Sequence, residues 1–177
     1  MKFTETGIKD LWVIEPKIFE DSRGYFYEAF NKKTFEENTG LDIHFVQDNE
    51  SKSTKGVLRG MHFQKGEYAQ AKLVRVVEGE VQDVAVDLRE GSSTYGKHFS
   101  INLSAENRKQ LFVPRGFAHG FLVLSETAVF AYKCDNYYNK ASEGGLLYDC
   151  PKVAIPWQLD TSNLLLSDKD IILPSLL

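Results

Sequence analysis

The stretch V-L-R-G-M-H-F-Q at residues 57–64 is an apolar run that carries two side chains which an apolar strand normally excludes. Cations are rare in a core unless they are paired or needed. Arg59 and His62 are three positions apart, so a regular strand would send them to opposite faces. Gly60 permits a one-residue bulge, which would turn both side chains to one face. The alternative is an edge strand with a solvated arginine and a hydrogen-bonded histidine.

Short strands separated by brief turns surround this stretch on both sides. We predict strands at 11–19, 25–30, 44–50, 57–64, 69–77, 81–88, 98–103, 110–113, 120–124 and 128–135. Pro16 limits the first to an edge or an exchanged amino-terminal arm. One short helix is expected at 32–38, with Asn31 as N-cap and Gly40 just past its end. The pattern predicts an all-β jelly roll whose interior is the natural ligand cavity.

Composition and charge narrow the class of protein. The 177 residues are 42% hydrophobic and 26% charged, which suits a single globular domain over residues 1–177. Net charge is −4 and the cations are scattered, so no nucleic-acid partner is expected. No apolar signal segment opens the chain, and no run approaches the ~18 apolar residues of a membrane span. A cytoplasmic protein without a membrane partner is the expectation, with Cys134 and Cys150 as reduced packing thiols.

Polar residues at cavity-facing positions are the candidates for function. In the strand predicted at 69–77, Lys72 and Arg75 fall on opposite faces, so one of those faces must hold a cation. Tyr132 shares its face with an aromatic residue and a cysteine, which predicts a buried ring; a plain core tyrosine is the alternative. His119 ends the tight segment P-R-G-F-A-H at the start of a strand. Past residue 137, three prolines indicate an irregular wrapping tail.

Seven motifs together carry a family resemblance. They are F-x-D-x-R-G at 19–24, F-V-Q-D-N-x-S at 45–51, V-L-R-G-M-H-F-Q at 57–64, K-L-V-R-V-V-x-G-E at 72–80, D-V-A-V-D-L-R at 83–89, P-x-G-F-A-H-G-F at 114–121 and N-Y-Y at 136–138. In this order and spacing, the chain resembles the dTDP-4-dehydrorhamnose 3,5-epimerase family. The resemblance implies the double-stranded β-helix of the cupins, which agrees with the strand pattern.

The resemblance also implies a reaction. The family's substrate is dTDP-4-dehydro-6-deoxyglucose, whose ketone acidifies the hydrogens on carbons 3 and 5. Inversion requires a base, an enolate stabiliser and an acid on the opposite face of the ring. His62 matches the family's base, Lys72 its oxyanion stabiliser and Tyr132 its acid, while water is an alternative acid at carbon 3. Asp170 matches the carboxylate that orients the histidine, although Asp168 lies two residues away and competes for that role. No cofactor and no metal ion are expected.

Substrate-binding positions follow from the same resemblance. Arg23 and Arg59 match the guanidinium groups that contact the substrate, as a diphosphate requires. Tyr138 matches the aromatic residue that stacks on thymine. Other matching positions are Glu28, Gln47, Asp48, Asn49, His119, Glu143 and Lys169. Because Arg23 and Glu28 lie on the amino-terminal arm, we expect a homodimer in which the arm crosses to the neighbour.

Three other functions compete with this prediction. A metal-dependent cupin also carries P-x-G-x-x-H, but it needs H-x-H where this chain has His62-Phe63-Gln64, and two histidines are few for a catalytic metal site. An epimerase acting on one carbon only would keep the family and change the product. A non-catalytic sugar-nucleotide binder would bind dTDP without exchanging protons with solvent.

Overall fold

The chain folds into two antiparallel β-sheets and a separate hairpin. This is a computed structural model that describes residues 1–176; Leu177, the last residue of the predicted domain, lies outside the described residues. The six-stranded sheet has the order β1 (Lys2–Glu5), β2 (Trp12–Glu15), β10 (Gln110–Val113), β7 (Lys72–Glu78), β12 (Thr127–Cys134) and β5 (Gln47–Thr54). The five-stranded sheet has the order β13 (Glu143–Gly145), β6 (Leu58–Gln64), β11 (Phe117–Val123), β8 (Glu80–Asp87) and β9 (His98–Ser104). The hairpin pairs β3 (Phe19–Asp21) with β4 (Gly24–Phe26).

The two sheets pack against each other through one apolar cluster. Val74 and Phe130 from the six-stranded sheet meet Val81, Leu103 and Phe121 from the five-stranded sheet, and all five are buried. The rings of Phe121 and Phe130 stack with their centroids 4.1 Å apart, and both also line the cavity above the cluster. The predicted all-β fold of the jelly-roll, cupin type is confirmed, and its core forms the floor of the cavity.

The expected short helix is confirmed, and its caps explain its limits. Helix α1 (Lys32–Thr39) begins after Asn31, whose side chain accepts a hydrogen bond from the Thr34 amide at 3.1 Å. It ends at Gly40, which has a φ of 71°, a left-handed conformation that glycine adopts without strain. A second helix, α2 (Asp168–Ile171), has only four residues and was not predicted.

Several strand limits differ from the prediction. The segment predicted as 11–19 divides at Pro16 into β2 and β3, and the segment predicted as 25–30 is ordered as a strand only in β4. β5 covers Gln47–Thr54 rather than 44–50, and β1 and β13 were not predicted. β5 reads Q-D-N-E-S-K-S-T and carries no apolar residue. An apolar–polar alternation therefore could not reveal where it begins and ends.

The bulge that Gly60 permits is present between β6 and β11. His62 pairs with His119 and Arg59 pairs with Phe121, so two residues of β6 face the single residue Gly120. Gly60 has a φ of 138°, and a β-carbon there would lie 2.5 Å from the Gly120 α-carbon. The bulge places Arg59 and His62 on the same side of the sheet, where both line the cavity.

The carboxyl-terminal tail wraps around the five-stranded sheet. The Met61 and Leu146 backbones exchange hydrogen bonds of 3.3 and 2.9 Å, and Val57 forms a parallel bridge with Leu165. The next residues form α2, which carries Asp170 over the cavity. Across residues 1–176, no helix is both long enough and apolar enough to span a membrane.

Candidate active site

A cavity of about 800 Å³ lies between the two sheets and is covered on one side by the tail. Most of its polar lining comes from the two sheets. The six-stranded sheet contributes Gln47, Asn49, Ser51, Lys72, Tyr132 and Cys134; the five-stranded sheet contributes Arg59, His62, Gln64, His119 and Glu143. Tyr138, Lys169 and Asp170 follow from the tail. A volume of this size suits a ligand larger than a simple sugar.

The side chains of His62 and Asp170 are in contact inside the cavity. His62 Nε2 lies 2.8 Å from Asp170 Oδ1, and the carboxylate side chain is 5% exposed. The contact does not have hydrogen-bond geometry, so Asp170 Oδ1 has no hydrogen-bond partner among residues 1–176. The other ring nitrogen, His62 Nδ1, is also buried without a hydrogen-bond partner in that range. Burial lowers the pKa of His62, and Asp170 opposes that effect only in part. Asp168 is exposed on the same helix and does not line the cavity.

Lys72 and Tyr132 lie on the wall opposite His62. They project from the neighbouring strands β7 and β12, where Lys72 pairs with Cys134 and Tyr132 pairs with Val74. Burial lowers the pKa of Lys72, and burial raises the pKa of Tyr132, so the phenol stays protonated at neutral pH. In the described chain, Lys72 Nζ has no hydrogen bond or ion pair. The cavity therefore has a protonated phenol and a lysine side chain without a hydrogen-bond partner in residues 1–176, both facing an imidazole.

A second histidine–carboxylate pair was missed by the sequence analysis. Asp83 on β8 is fully buried, and its two oxygens lie 2.9 and 3.1 Å from Nε2 of His119. His119 pairs directly with His62 across β6 and β11, so the two imidazoles are neighbours. The sequence carried one signal for this pair: Asp83 begins the apolar stretch D-V-A-V, and burying a carboxylate there costs free energy unless it has a polar partner.

Strand β5 presents a row of small polar side chains to the cavity. Gln47 Nε2 donates to Asn49 Oδ1 at 2.9 Å, and Asn49 Nδ2 donates to Cys134 Sγ at 3.7 Å. Further along, Ser53 Oγ accepts a hydrogen bond of 3.0 Å from Arg59 Nε and fixes the guanidinium. Burial raises the pKa of the Cys134 thiol to about 11, so it is a neutral packing group. Ser53 was another residue that the sequence analysis missed.

The cavity entrance combines a tyrosine with an ion pair. Tyr138 is 53% exposed, and its hydroxyl donates to Glu143 Oε2 at 3.4 Å. Lys169 Nζ pairs with the other oxygen of Glu143. Burial raises the pKa of Glu143, but the hydrogen bond and charge of Lys169, with smaller contributions from His62 and Tyr138, together outweigh it and hold the pKa below its ordinary value. The ion pair joins β13 to α2, the helix that carries Asp170.

The structure brings all but three of the predicted site residues to the cavity. Asp48 points to the other face of β5, where both its oxygens lie 2.9 Å from Lys133 Nζ. Arg23 is on the β3–β4 hairpin, with a side chain that is 88% exposed and paired with Asp21. Glu28 follows the hairpin and accepts a hydrogen bond from Asn31 at 3.0 Å. Substrate contact remains a prediction for these three residues, as it does for those that line the cavity.

Gln64 stands where a metal-dependent cupin would have its second histidine, and it has a different role in this structure. Gln64 Oε1 accepts a hydrogen bond of 3.0 Å from the Asn139 amide. Both cavity histidines face carboxylates, His62 facing Asp170 and His119 facing Asp83. Within the part of the chain that the structure describes, no three histidine, cysteine or acidic side chains cluster as metal ligands would.

Comparison with known proteins identifies the family of this chain. The family model described as dTDP-4-dehydrorhamnose 3,5-epimerase matches residues 5–177. A dTDP-4-dehydrorhamnose 3,5-epimerase of Shigella flexneri is 56% identical over 171 residues, covering 97% of this chain and 93% of the relative. A crystal structure of the enzyme of that name from Elizabethkingia anophelis superposes with a TM-score of 0.96 at 60% identity, covering 99% of this chain and 96% of that one.

A ligand-bound structure is similar as well. The dTDP-6-deoxy-D-glucose-3,5-epimerase of Legionella pneumophila, in complex with dTDP-4-keto-L-rhamnose, has a TM-score of 0.91 and 51% identity, covering 96% of this chain and 89% of that one. The fold and these relatives define the class as a cupin-type isomerase. Within that class, the chain belongs to the dTDP-4-dehydrorhamnose 3,5-epimerase family, and the resemblance found in the sequence is confirmed.

Proposed function

We propose that this protein converts dTDP-4-dehydro-6-deoxy-D-glucose to dTDP-4-dehydro-L-rhamnose by inverting carbons 3 and 5, a step of dTDP-rhamnose biosynthesis. The observation that carries the proposal is the cavity itself. His62 and its partner Asp170 occupy one side, and Lys72 and Tyr132 project from the opposite sheet. Inversion needs proton removal and proton return on opposite faces of the ring, and this arrangement supplies both.

The reaction is a balanced exchange of protons. His62 accepts the proton from carbon 3 or 5, and the carbon–hydrogen electron pair moves into the ring to form an enolate with its oxygen at carbon 4. Lys72 stabilises that oxygen, as a fixed donor in a water-poor site does effectively. Tyr132 donates its phenolic proton to the carbon from the other face. His62 then releases its proton to solvent and Tyr132 regains one, so no cofactor is consumed.

The pKa directions fit these assignments. Burial lowers the pKa of His62, so the imidazole is neutral and able to accept a proton at neutral pH. Burial raises the pKa of Tyr132, so the phenol is protonated and able to donate. Groups whose environments push their pKa values apart are the usual signature of an acid and a base in one site.

The nucleotide is bound at the entrance and along β5. Arg59, held by Ser53, contacts the diphosphate, and Tyr138 stacks on the thymine ring. Gln47, Asn49, His119, Glu143 and Lys169 complete the contacts from within the same chain, all of them in the cavity lining. Asp48 belongs to the same proposed set, although its side chain pairs with Lys133 here.

The remaining contacts come from a second copy of the chain. Arg23 and Glu28 lie outside the cavity of their own chain, on or beside a hairpin whose Phe19, Tyr25 and Phe26 are 54, 58 and 67% exposed. Exposed aromatic residues on a projecting hairpin are typical of an interface. We therefore include in the proposal a homodimer with exchanged amino-terminal arms, each chain being one catalytic domain.

The cytoplasm is the proposed location of this enzyme. Cys134 and Cys150 are both buried free thiols, which is the state that a reducing compartment maintains. Detection of the protein in the soluble fraction of its own cells, without an exported form, is the expected result. Recovery from a periplasmic or secreted fraction would contradict it.

Incubation in heavy water tests the proposed reaction. With dTDP-4-dehydro-6-deoxyglucose as substrate, deuterium should appear at both carbon 3 and carbon 5, as read by NMR of the product. Deuterium at a single carbon would make the protein a mono-epimerase, and no deuterium despite dTDP binding would make it a binding protein. Elemental analysis of the purified protein accompanies the experiment, since stoichiometric bound metal would favour a metal-dependent cupin.

A further inference from the structure

Two glutamines lie on either side of the turn that joins β6 to β7. Gln64 is the last residue of β6 and is 6% exposed, and Gln70 precedes β7; both line the cavity. Neither belongs to the acid, base or nucleotide contacts described above. Amide side chains placed in a cavity wall require hydrogen-bond partners, since an unpaired buried amide is costly.

Both glutamines bind the backbone of one short segment. Gln64 Oε1 accepts a hydrogen bond of 3.0 Å from the Asn139 amide, and Gln70 Nε2 donates one of 2.7 Å to the Asn136 carbonyl. The segment 136–139 is thus held at both ends. Between these two points it carries Tyr138, which projects to the cavity entrance with no strand or helix of its own to support it.

Additional contacts keep the two ends of the segment in place. Asn136 Nδ2 donates to the Glu67 carbonyl at 2.8 Å, inside the turn between the two glutamines. Asn139 Oδ1 accepts from the Ala141 amide at 2.9 Å and caps the following 3-10 turn. The segment is therefore fixed relative to the β6–β7 turn, while the Tyr138 ring itself remains half exposed.

We propose that Gln64 and Gln70 act as a clamp that positions Tyr138 for stacking on the nucleobase, and so set the affinity for the nucleotide. This inference rests on the proposed function, in which Tyr138 stacks on thymine. A stacking ring contributes only if its plane is held at the right distance before the ligand arrives, because ordering a mobile loop on binding weakens affinity. Gln64 thereby has a positioning role at the place where a metal cupin has a ligand.

Four variants separate this role from general stability. Gln64→Met removes the oxygen acceptor at similar volume, and Gln64→Glu keeps an oxygen acceptor for the Asn139 amide. Gln70→Met tests the other end of the clamp and remains informative if Gln64→Met does not fold. Gln82→Met is the control for stability, because buried Gln82 also accepts a backbone hydrogen bond, from Gln158 at 2.8 Å, but does not line the cavity. Its Nε2 donates two further hydrogen bonds, so this variant should lose at least as much stability as Gln64→Met.

The expected result is a selective loss of nucleotide affinity. Gln64→Met and Gln70→Met should each raise the Kd for dTDP and the KM for the sugar nucleotide about tenfold, a typical effect of losing one stacked base. Turnover at saturation should fall by much less, and amide hydrogen exchange in residues 136–139 should accelerate. Gln64→Glu should recover most of the affinity, and Gln82→Met should leave KM and Kd unchanged.

A double variant decides whether the effect passes through Tyr138. In a Tyr138→Ala background, Gln64→Met should weaken dTDP binding by less than twofold further, because the ring it positions is gone. Additive losses, or unchanged affinity in both glutamine single variants, would overturn the clamp. Failure of the proposed function is distinguishable, since the unaltered protein would then not exchange deuterium into both carbons of the substrate, whereas failure of the clamp alone leaves that exchange intact.

Discussion

His62 is surrounded by charges that act on it in opposite directions. Asp170 and Glu143 raise the pKa of the imidazole, whereas burial, Lys169 and Lys72 lower it, and the net direction is downward. A base with a lowered pKa remains unprotonated to lower pH, so the acid limb of the rate profile should lie below the ordinary histidine value of about 6.5.

Substitutions of two adjacent residues should move that acid limb in opposite directions. Asp170→Asn removes a charge that raises the pKa of His62, so the limb should shift to lower pH, and kcat should fall about 10- to 100-fold because the ring loses its orienting partner. Lys169→Met removes a charge that lowers the same pKa, so its limb should shift to higher pH. Profiles of kcat/KM against pH check both. Limbs that shift together would exclude His62 as the titrating base.

Removal of the base and of the acid should have different consequences. His62→Ala should lower the rate of deuterium exchange at both carbons by a factor of about 100 or more. Its affinity for dTDP should stay nearly intact, because no nucleotide contact is lost. Tyr132→Phe deletes one hydroxyl, so it should slow or redirect reprotonation without affecting folding. Product ratios and dTDP titrations provide the measurements. Persistent exchange in His62→Ala would require another base, and an unchanged product ratio in Tyr132→Phe would remove the phenol from the reaction.

At the scale of the strand, the bulge in β6 determines where the site residues point. An alanine at position 60 would have to keep a φ of 138° and place its β-carbon 2.5 Å from the Gly120 α-carbon. Gly40 is a matched control, because its φ is 71° and no atom lies within 4 Å of the added β-carbon. The comparison separates backbone strain from the close approach of two strands.

Gly60→Ala should therefore be much more harmful than Gly40→Ala. The change at Gly40 should lower the free energy of unfolding by about 1–2 kcal/mol, the usual cost of a left-handed alanine. The change at Gly60 should cost about 3 kcal/mol or more, because the strands must also separate. Urea unfolding at a fixed protein concentration measures both. Equal losses would mean that the β6–β11 contact relaxes freely and that the bulge is not needed.

The sequence allowed prediction of those elements whose signal is local. The bulge followed from Gly60 between two polar residues, and α1 followed from its caps Asn31 and Gly40. The limits of β5 were predicted incorrectly because both of its faces are polar, so its sequence carries no apolar–polar alternation. The partnership of Asp83 with His119 joins two strands that pair across 36 positions of sequence, and no local pattern encodes such a contact.

At the scale of the whole molecule, the two sheets of one chain form the cavity, but in the proposed mechanism they do not supply every substrate contact. Arg23 is matched to a substrate contact, but its guanidinium pairs only with Asp21 at 2.6 Å in the described chain and does not reach the cavity. The body of its own chain holds the hairpin by few polar contacts, such as Arg108 stacked 4.0 Å from the Tyr25 ring. Phe19 and Phe26 of this hairpin nevertheless remain 54 and 67% exposed, and in the proposed dimer they pack on a second copy.

Complementation between two inactive variants tests the exchange of arms. Arg23→Ala lacks an arm contact, and His62→Ala lacks the base. If the arms cross, a mixed dimer has one site that combines an intact His62 with the partner's intact arm. Half of the dimers are mixed after refolding, and each mixed dimer has one working site. Mixing and refolding should therefore restore activity to about a quarter of the unaltered level. If each arm serves its own chain, every site in the mixture lacks one group. The mixture would then be no more active than the average of the two variants, and the exchanged arm would be excluded even if sedimentation showed a dimer.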